Sequence, residues 1–329
     1  MLRLLADDLT GALDSAAPFA RTGAPIPVLW DRAAAPVEGA MALDCETRDL
    51  TAEQAARHTG EAAPLLRRGR PAFKKIDSRL RGHPALEIAV CSREGGFRTT
   101  IVAPAFPGQG RVTRDGRQLV LQEGGWRDTG VDLAADLRDQ GLSVQRGRPN
   151  WGAGVFLCDA DSERDLADIV ASGADATPPV LWAGSGGLAR ALARSVETVA
   201  VEDLPGPLVL IVGTGHPVTL AQLDRLPAGT VVHRPSWPGG SPVLQEMIKD
   251  VVARGRPTGG AIVTGGETLY RLCATTGALR LLVRGEIEPG TAVATIEGGS
   301  WDGVTLVTKS GGLGSPDLLR RLVTGCGHA

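Results

Sequence analysis

The chain of 329 residues is poor in several residue types, and each shortage removes a class of function. Its five cysteines, Cys45, Cys91, Cys158, Cys273 and Cys326, stand singly with no C-x-x-C pair. That argues against a disulfide framework and a structural zinc site, and reads them as small buried apolar side chains. Aromatic residues make up only 4% of the chain and the formal net charge is -2. With no basic excess and no run of like charges, neither nucleic acid nor a membrane surface is an expected partner, and the ligand is expected to be small. The five histidines show no metal-ligand spacing. His58, His233 and His328 carry no signal, whereas His83 and His216 stand at strand-to-helix turns. No apolar run approaches a membrane span, and acids interrupt the N-terminal MLRLLADD too early for a signal peptide, so a cytoplasmic location is expected. Lysine is scarce as well. Of 35 basic residues only Lys74, Lys75, Lys249 and Lys309 are lysines, which singles those positions out.

What remains is an ordinary globular composition, 43% hydrophobic, able to bury a core and long enough for two domains. Short apolar runs alternate with amphipathic stretches: MLRLLA then GALDSAAPFARTG, MALDC then TAEQAARHTGEAAPLLRRG, PAFKKID then HPALEIAVCSREGG. This is the signature of βα units and a mostly parallel sheet. The stretch EDLPGP, residues 202–207, reads as a linker, and a second βα series follows it. The expectation is an α/β protein of two domains, 1–203 and 204–329, each a mostly parallel sheet flanked by helices, with the active site in the inter-domain cleft. Residues 111–130 fit neither pattern and are expected to form turns or a short hairpin over a site.

In open parallel sheets ligands bind beyond the carboxyl ends of the strands. The first such end carries the adjacent acids Asp7 and Asp8, read as a helix cap, a metal or hydroxyl ligand, or a general base. Capping explains one aspartate but not two, and a carboxylate pair needs a cation or hydroxyl donors beside it. After FKKI comes DSRLRGH, residues 77–83. If the strand stays extended, Asp77, Arg79 and Arg81 share one face and aim two guanidinium forks at an anion; the alternative is a surface ion-pair cluster. In the second half, Gly265-Gly266-Glu267-Thr268 and Lys309-Ser310-Gly311-Gly312 are glycine turns, each read as opening a helix and presenting backbone N–H groups to phosphate. Neither is a Walker A motif, since Thr308 stands where glycine would precede the lysine. A rival is Gly184 to Ala189, which has the G-x-G-x-x-A form of a dinucleotide fingerprint with Glu202 at a suitable distance for a ribose.

Taken in order, ADDLTGALD, KKIDSRLRGH, APAFPGQGR, GSGGLA, TGGET, EIEPG and KSGGLG resemble the four-carbon acid sugar kinases. The resemblance implies ATP-dependent phosphorylation of the terminal hydroxyl of a C4 sugar acid such as threonate or erythronate. It implies a sugar-acid site around Asp7, Asp8, Asp77, Ser78, Arg79 and Arg81, with Asp8 and Asp7 as the catalytic carboxylates. It further implies ATP held with Mg²⁺ by Gly265, Gly266, Glu267, Thr268, Lys309, Gly311 and Gly312, with metal ligands unassigned. Two departures stand out. VGTGHPVT places His216 where the family has a nucleotide-contacting serine, and DSRLRGH places Arg79 and His83 where the family has a hydroxyl and an amide. The expected partners are the acid and ATP, and pairing as a homodimer is allowed for. A nicotinamide-dependent oxidoreductase using Gly184–Ala189 and a non-catalytic sugar-acid sensor are the alternatives.

Overall fold

The computed structural model describes all residues except 22, 36–37, 148–150, 194–195, 236–239 and 326–329. Cys326 and His328 lie outside the described residues. The chain forms two compact units, Met1–Phe19 with Trp30–Ser195 and Ala20–Leu29 with Val196–Ala329. Strand β1 (Arg3–Ala6) and helix α1 (Leu9–Ala16) belong to the first unit, while β2 (Ile26–Leu29) belongs to the second.

The first unit continues with β3 (Met41–Asp44), β4 (Ala72–Lys75) and β5 (Thr99–Ala103), and with helices α2 (Ala52–Ala62) and α3 (Pro84–Glu94). It then has β6 (Arg111–Arg114), β7 (Arg117–Gln122), β8 (Gly125–Asp128), α4 (Leu133–Asp139), β9 (Val144–Arg146), β10 (Gly154–Leu157), α5 (Glu163–Gly173), β11 (Val180–Gly184) and α6 (Gly186–Ala193). Its main sheet is parallel throughout, in the order β3-β1-β4-β11-β5-β10-β9. Every residue of β1, β3, β4 and β5 is buried, because helices cover both faces of a parallel sheet. One cluster on it gathers Ile76, Ile88, Val102, Leu133, Leu137 and Val155. The residues that fit no βα pattern form the antiparallel sheet β6-β7-β8. There the buried Gln118 amide donates to the Ser78 carbonyl at 2.7 Å and so fastens the sheet to the loop after β4.

The second unit holds β12 (Leu208–Val212), α7 (Pro217–Leu223), β13 (Val232–His233), α8 (Gly240–Ala253), β14 (Gly260–Thr264) and α9 (Gly266–Thr276). It ends with β15 (Arg280–Glu288), β16 (Thr291–Glu297), β17 (Thr305–Lys309) and α10 (Leu318–Gly325). Strands β13-β12-β14-β17 are parallel, and β16, β15 and β2 add to β17 in antiparallel succession. The βα reading passed over these last three strands because a hairpin and a short IPVL run do not alternate with helices. The core collects Leu210, Ile262, Val293, Val307, Leu318 and Leu322. Helix α10 begins at Leu318, so KSGGLG does not open a helix as expected; a separate turn intervenes.

Candidate functional site

In the first unit the carboxyl ends of β3, β1 and β4 lie side by side, since Ala6 pairs with Asp44 and Leu5 with Lys74. The loop after β3 is tied to the first strand end, Thr47 and Arg48 N–H donating to the Asp7 carbonyl at 3.1 and 3.2 Å. This brings Arg48 against three carboxylates. Its Nε and Nη2 donate to Asp7 at 2.9 Å each, and its Nη1 and Nη2 donate to Asp8 at 2.5 and 2.9 Å. Nη2 also stands 3.8 Å from Asp77. The cation that offsets the Asp7–Asp8 repulsion is therefore a guanidinium from a third loop. Extended alternation does not separate the two carboxylates, because both turn onto Arg48. Burial pushes the Asp7 carboxyl up, but Arg48, Lys75 and Lys74 push it down further, and it ends below its ordinary value.

Asp8 caps α1 as well, its Oδ1 accepting Gly11 N–H and its Oδ2 the Thr10 hydroxyl, both at 2.9 Å. The cap reading of Asp8 therefore holds, and the same carboxylate also faces Arg48. Its oxygens thus each carry two donors.

DSRLRG does not stay extended. Strand β4 ends at Lys75, and Leu80 adopts a left-handed φ of 60°, which turns the chain. Asp77 sits inside the turn, accepting the Arg79 and Arg81 N–H groups at 3.1 and 3.2 Å and the Arg81 fork at 2.9 and 2.8 Å. The expected shared face of Asp77, Arg79 and Arg81 is therefore replaced by an Asp77–Arg81 ion pair, because a carboxylate facing backbone N–H groups favours the turn. Arg79 is left beside Arg111 of β6. Burial lowers the Arg111 pKa, and the charges of Arg79 and Arg81 lower it further. Asp77 and Asp14 oppose that shift. His83 precedes α3, and its Nε2 lies 2.7 Å from the Leu50 carbonyl, so that nitrogen donates.

Adjacent Lys74 and Lys75 point to opposite faces of β4. Lys74 is fully buried and pairs with Glu87 of α3 at 2.5 Å. The Lys75 ammonium rests over Gly11 of α1, where a Cβ would come within 2.8 Å of Nζ. In the sequence Lys75 stands out only by the scarcity of lysine, and Arg48 and Arg111 receive no role; the signal available for Arg48 is a position just past a strand end.

Gly184–Ala189 is packed by protein. A Cβ at Gly186 would lie 2.5 Å from Asp14 Oδ2, one at Gly187 2.6 Å from the Ala105 carbonyl, and the Ser185 hydroxyl donates to that carbonyl at 2.6 Å. Close approach of neighbouring groups accounts for these glycines, and a carboxylate stands where a dinucleotide would place its pyrophosphate. Glu202 belongs to the other unit.

In the second unit three loops converge past the ends of adjacent β12, β14 and β17. Gly213 N–H donates to the Thr264 carbonyl and Gly265 N–H to the Lys309 carbonyl, at 3.3 and 3.0 Å. Gly265 has φ 97°, which glycine tolerates, and leads into α9 at Gly266. The Thr264 and Thr268 hydroxyls are buried without a hydrogen-bond partner. Glu267 points away, to Arg271 at 2.8 Å and Ser241 at 2.6 Å. Lys309 is 1% exposed and donates to Thr219 Oγ1 at 2.8 Å, and that hydroxyl donates to the Gly311 carbonyl at 2.7 Å. Burial pulls the Lys309 ammonium down to about 7. A Cβ on Gly311 would meet Thr214 Oγ1 at 2.5 Å and His216 Cβ at 3.1 Å. His216 caps α7, its Nδ1 accepting Val218 N–H at 3.2 Å. Gly312, next in the turn, is half-buried.

The four described cysteines are all free and buried. Among the described residues no helix is long and apolar enough to cross a membrane, and no group of three or more His, Cys, Asp or Glu could hold a metal ion.

Comparison with known proteins agrees with this division of chemistry. The family model of a sugar-binding N-terminal domain matches residues 2–137, and that of a nucleotide-binding C-terminal domain matches residues 181–319. A D-threonate kinase of Cupriavidus necator is 30% identical, with 96% of this chain and 95% of that protein covered. A D-threonate kinase of Bordetella bronchiseptica is 28% identical over 97% of this chain and 95% of its own length. A D-erythronate kinase of Heliobacterium modesticaldum is 34% identical over a shorter stretch, 36% of this chain and 28% of that protein. A solved structure from Salmonella typhimurium shares the fold, with a TM-score of 0.73 at 19% identity and 97% of both chains covered.

Proposed function

Since the chain belongs to the four-carbon acid sugar kinase family, we propose that it transfers the terminal phosphoryl group of ATP to a terminal hydroxyl of threonate or erythronate. That it is a phosphotransferase acting on an alcohol group follows from the kinases it matches over most of its length. The observation that carries the finer reading is the polarity of the first unit's strand ends. The charges of Arg79 and Arg81 act on Arg111, and Arg48 holds Asp7 and Asp8 together beside Asp77. The arginine group takes the carboxylate of the acid, and the carboxylates held by Arg48 line the place its hydroxyls occupy.

Phosphoryl transfer asks a protein mainly for positioning and charge compensation. In the second unit the backbone N–H groups of Gly266 and Gly311 and the unpartnered Thr268 hydroxyl receive the phosphates. Lys309, through Thr219, sets the Gly311 turn. His216 shapes this site from the α7 cap. Mg²⁺ ordinarily reaches such sites on the nucleotide phosphates with few protein ligands, which suits a chain whose described residues offer no acidic cage. Free buried cysteines suit a cytoplasmic enzyme.

The test is incubation of the purified protein with ATP, Mg²⁺ and a panel of C4 sugar acids, with ³¹P NMR identifying the phosphorylated oxygen. A phosphomonoester on the terminal carbon of threonate or erythronate is the expected product. Failure to phosphorylate any C4 acid would overturn the reading.

A further inference from the structure

Accepting the kinase reading, the next question is which carboxylate takes the proton of the attacking hydroxyl. The two acids at the first strand end are poorly placed to do so. Asp7 is 3% exposed and forked by Arg48, and both oxygens of Asp8 are shared between Arg48 and the start of α1. Asp77 is saturated by its own turn. A carboxylate whose lone pairs are taken by guanidinium and backbone donors is a poor proton acceptor. Asp44, at the end of β3, accepts Glu46 N–H at 2.8 Å. Burial together with Asp8, Glu46 and Asp7 pushes it well up, and the residue is 3% exposed, shut away from an incoming hydroxyl.

One carboxylate differs from all of these. Asp14 lies on α1 three residues after Gly11, so the two share a helix face, the face over which Lys75 Nζ rests. It is partly exposed, and among the described residues it accepts no hydrogen bond and lies in no ion pair. Gly186 of α6 leaves room for it, because a Cβ there would come within 2.5 Å of Oδ2 and 3.0 Å of Cγ. The charged groups that face it are Lys75 from β4, Asp8 from the α1 cap, Arg190 from α6 and Arg111 from β6. Burial pushes its carboxyl up to about 6, Asp8 adds to that, and Lys75, Arg190 and Arg111 oppose it. A general base works best with a pKa close to the working pH.

We infer that Asp14 is the catalytic base, its free carboxylate accepting the proton of the sugar-acid hydroxyl as that oxygen attacks the nucleotide. In this step the hydroxyl O–H bond breaks and its proton passes to Asp14. The oxygen forms a bond to the terminal phosphorus of the nucleoside triphosphate, and the bond from that phosphorus to the bridging oxygen breaks. The electron pair leaves on the nucleoside diphosphate, and the proton then passes from Asp14 to water. Asp7 and Asp8 bind and orient the acid through the Arg48 assembly.

The test compares wild type with Asp14→Asn, an isosteric change that removes a desolvated charge and leaves no donor stranded. In the wild type, turnover falls on the acid side with an apparent pKa near 6. In Asp14→Asn, kcat falls at least about 100-fold and that limb disappears, while the dissociation constant of the acid by calorimetry stays within about threefold. Gly186→Ala, which presses a methyl into the carboxylate without removing it, shows the same selective loss of kcat and covers the case in which Asp14→Asn does not fold. Retention of wild-type kcat and its acid limb in Asp14→Asn, or loss of acid binding with kcat kept, overturns the assignment. If the wild type itself phosphorylates no C4 acid, the kinase reading fails first, and the two failures are distinguishable.

Discussion

Replacing Lys309 by methionine should stabilise the protein, by an amount that depends on pH. The side chain is 1% exposed and its ammonium is held at about 7, against an ordinary 10.5, mainly by burial. Between those values the unfolded chain binds the proton and the folded chain does not, so wild-type stability rises with pH across that window. Below about 7 both states are charged and the folded state bears the whole cost of the buried charge. At about 1.4 kcal/mol per pH unit, the distance from 10.5 to about 7 corresponds to roughly 5 kcal/mol. Methionine fills similar space without charge and forfeits the hydrogen bond to Thr219, worth about 1 kcal/mol. The net gain at pH 6.5 is about 3 to 4 kcal/mol, or roughly 4 to 6 °C in thermal midpoint at this size. By pH 10 the gain should vanish. Scanning calorimetry of both proteins at pH 6.5, 8 and 10 measures it. A difference that does not change with pH, or a Lys309→Met protein less stable at pH 6.5, would refute the reasoning that this lysine is buried at the expense of its charge.

Arg48→Ala should destabilise the protein by about 3 to 5 kcal/mol and abolish acid binding, since it strands the buried Asp7 and leaves Asp8 with only its helix-cap donors. Asp7 and Asp77 are both held below their ordinary values, so they contribute stability that is present above about pH 4 and lost as pH falls. The variant should therefore show a flatter acid-unfolding curve by circular dichroism, and an unchanged curve would count against the Arg48 assembly. Gly311→Ala should raise the nucleotide KM about tenfold or more by pushing on Thr214 and His216, while calorimetric binding of the acid stays the same. Lys74→Met should cost about 3 to 5 kcal/mol by leaving Glu87 unpaired, and Lys74→Met with Glu87→Leu should recover most of it in urea titrations. A double variant as unstable as the single one would contradict that.

Much of the architecture is written locally. LLA, TTIVA and GAIVT are unbroken apolar or threonine-rich runs, buried at every residue, and a strand covered on both faces needs only that. Acids and glycines just past those runs marked the strand ends where sites form, and Gly265 opens α9 as its sequence suggested. Everything that depended on a distant partner was invisible. The guanidinium between Asp7 and Asp8 comes from a position 41 and 40 residues away, brought there because β1 and β3 are neighbours in the sheet. IPVL reads as a short apolar run, yet it completes a sheet whose other strands lie more than 170 residues later, by pairing with β15. DSRLRG could be read as an anion site or as an ion-pair cluster, and the left-handed turn at Leu80 made the Asp77–Arg81 pair while leaving the charge of Arg79 to act on Arg111. Asp14 looked like one polar residue in a helix. Composition and spacing determine which groups a chain brings to its strand ends; only the folded chain decides which carboxylates are neutralised and which remains able to accept a proton, because electrostatic partnership is a matter of distance in space and burial.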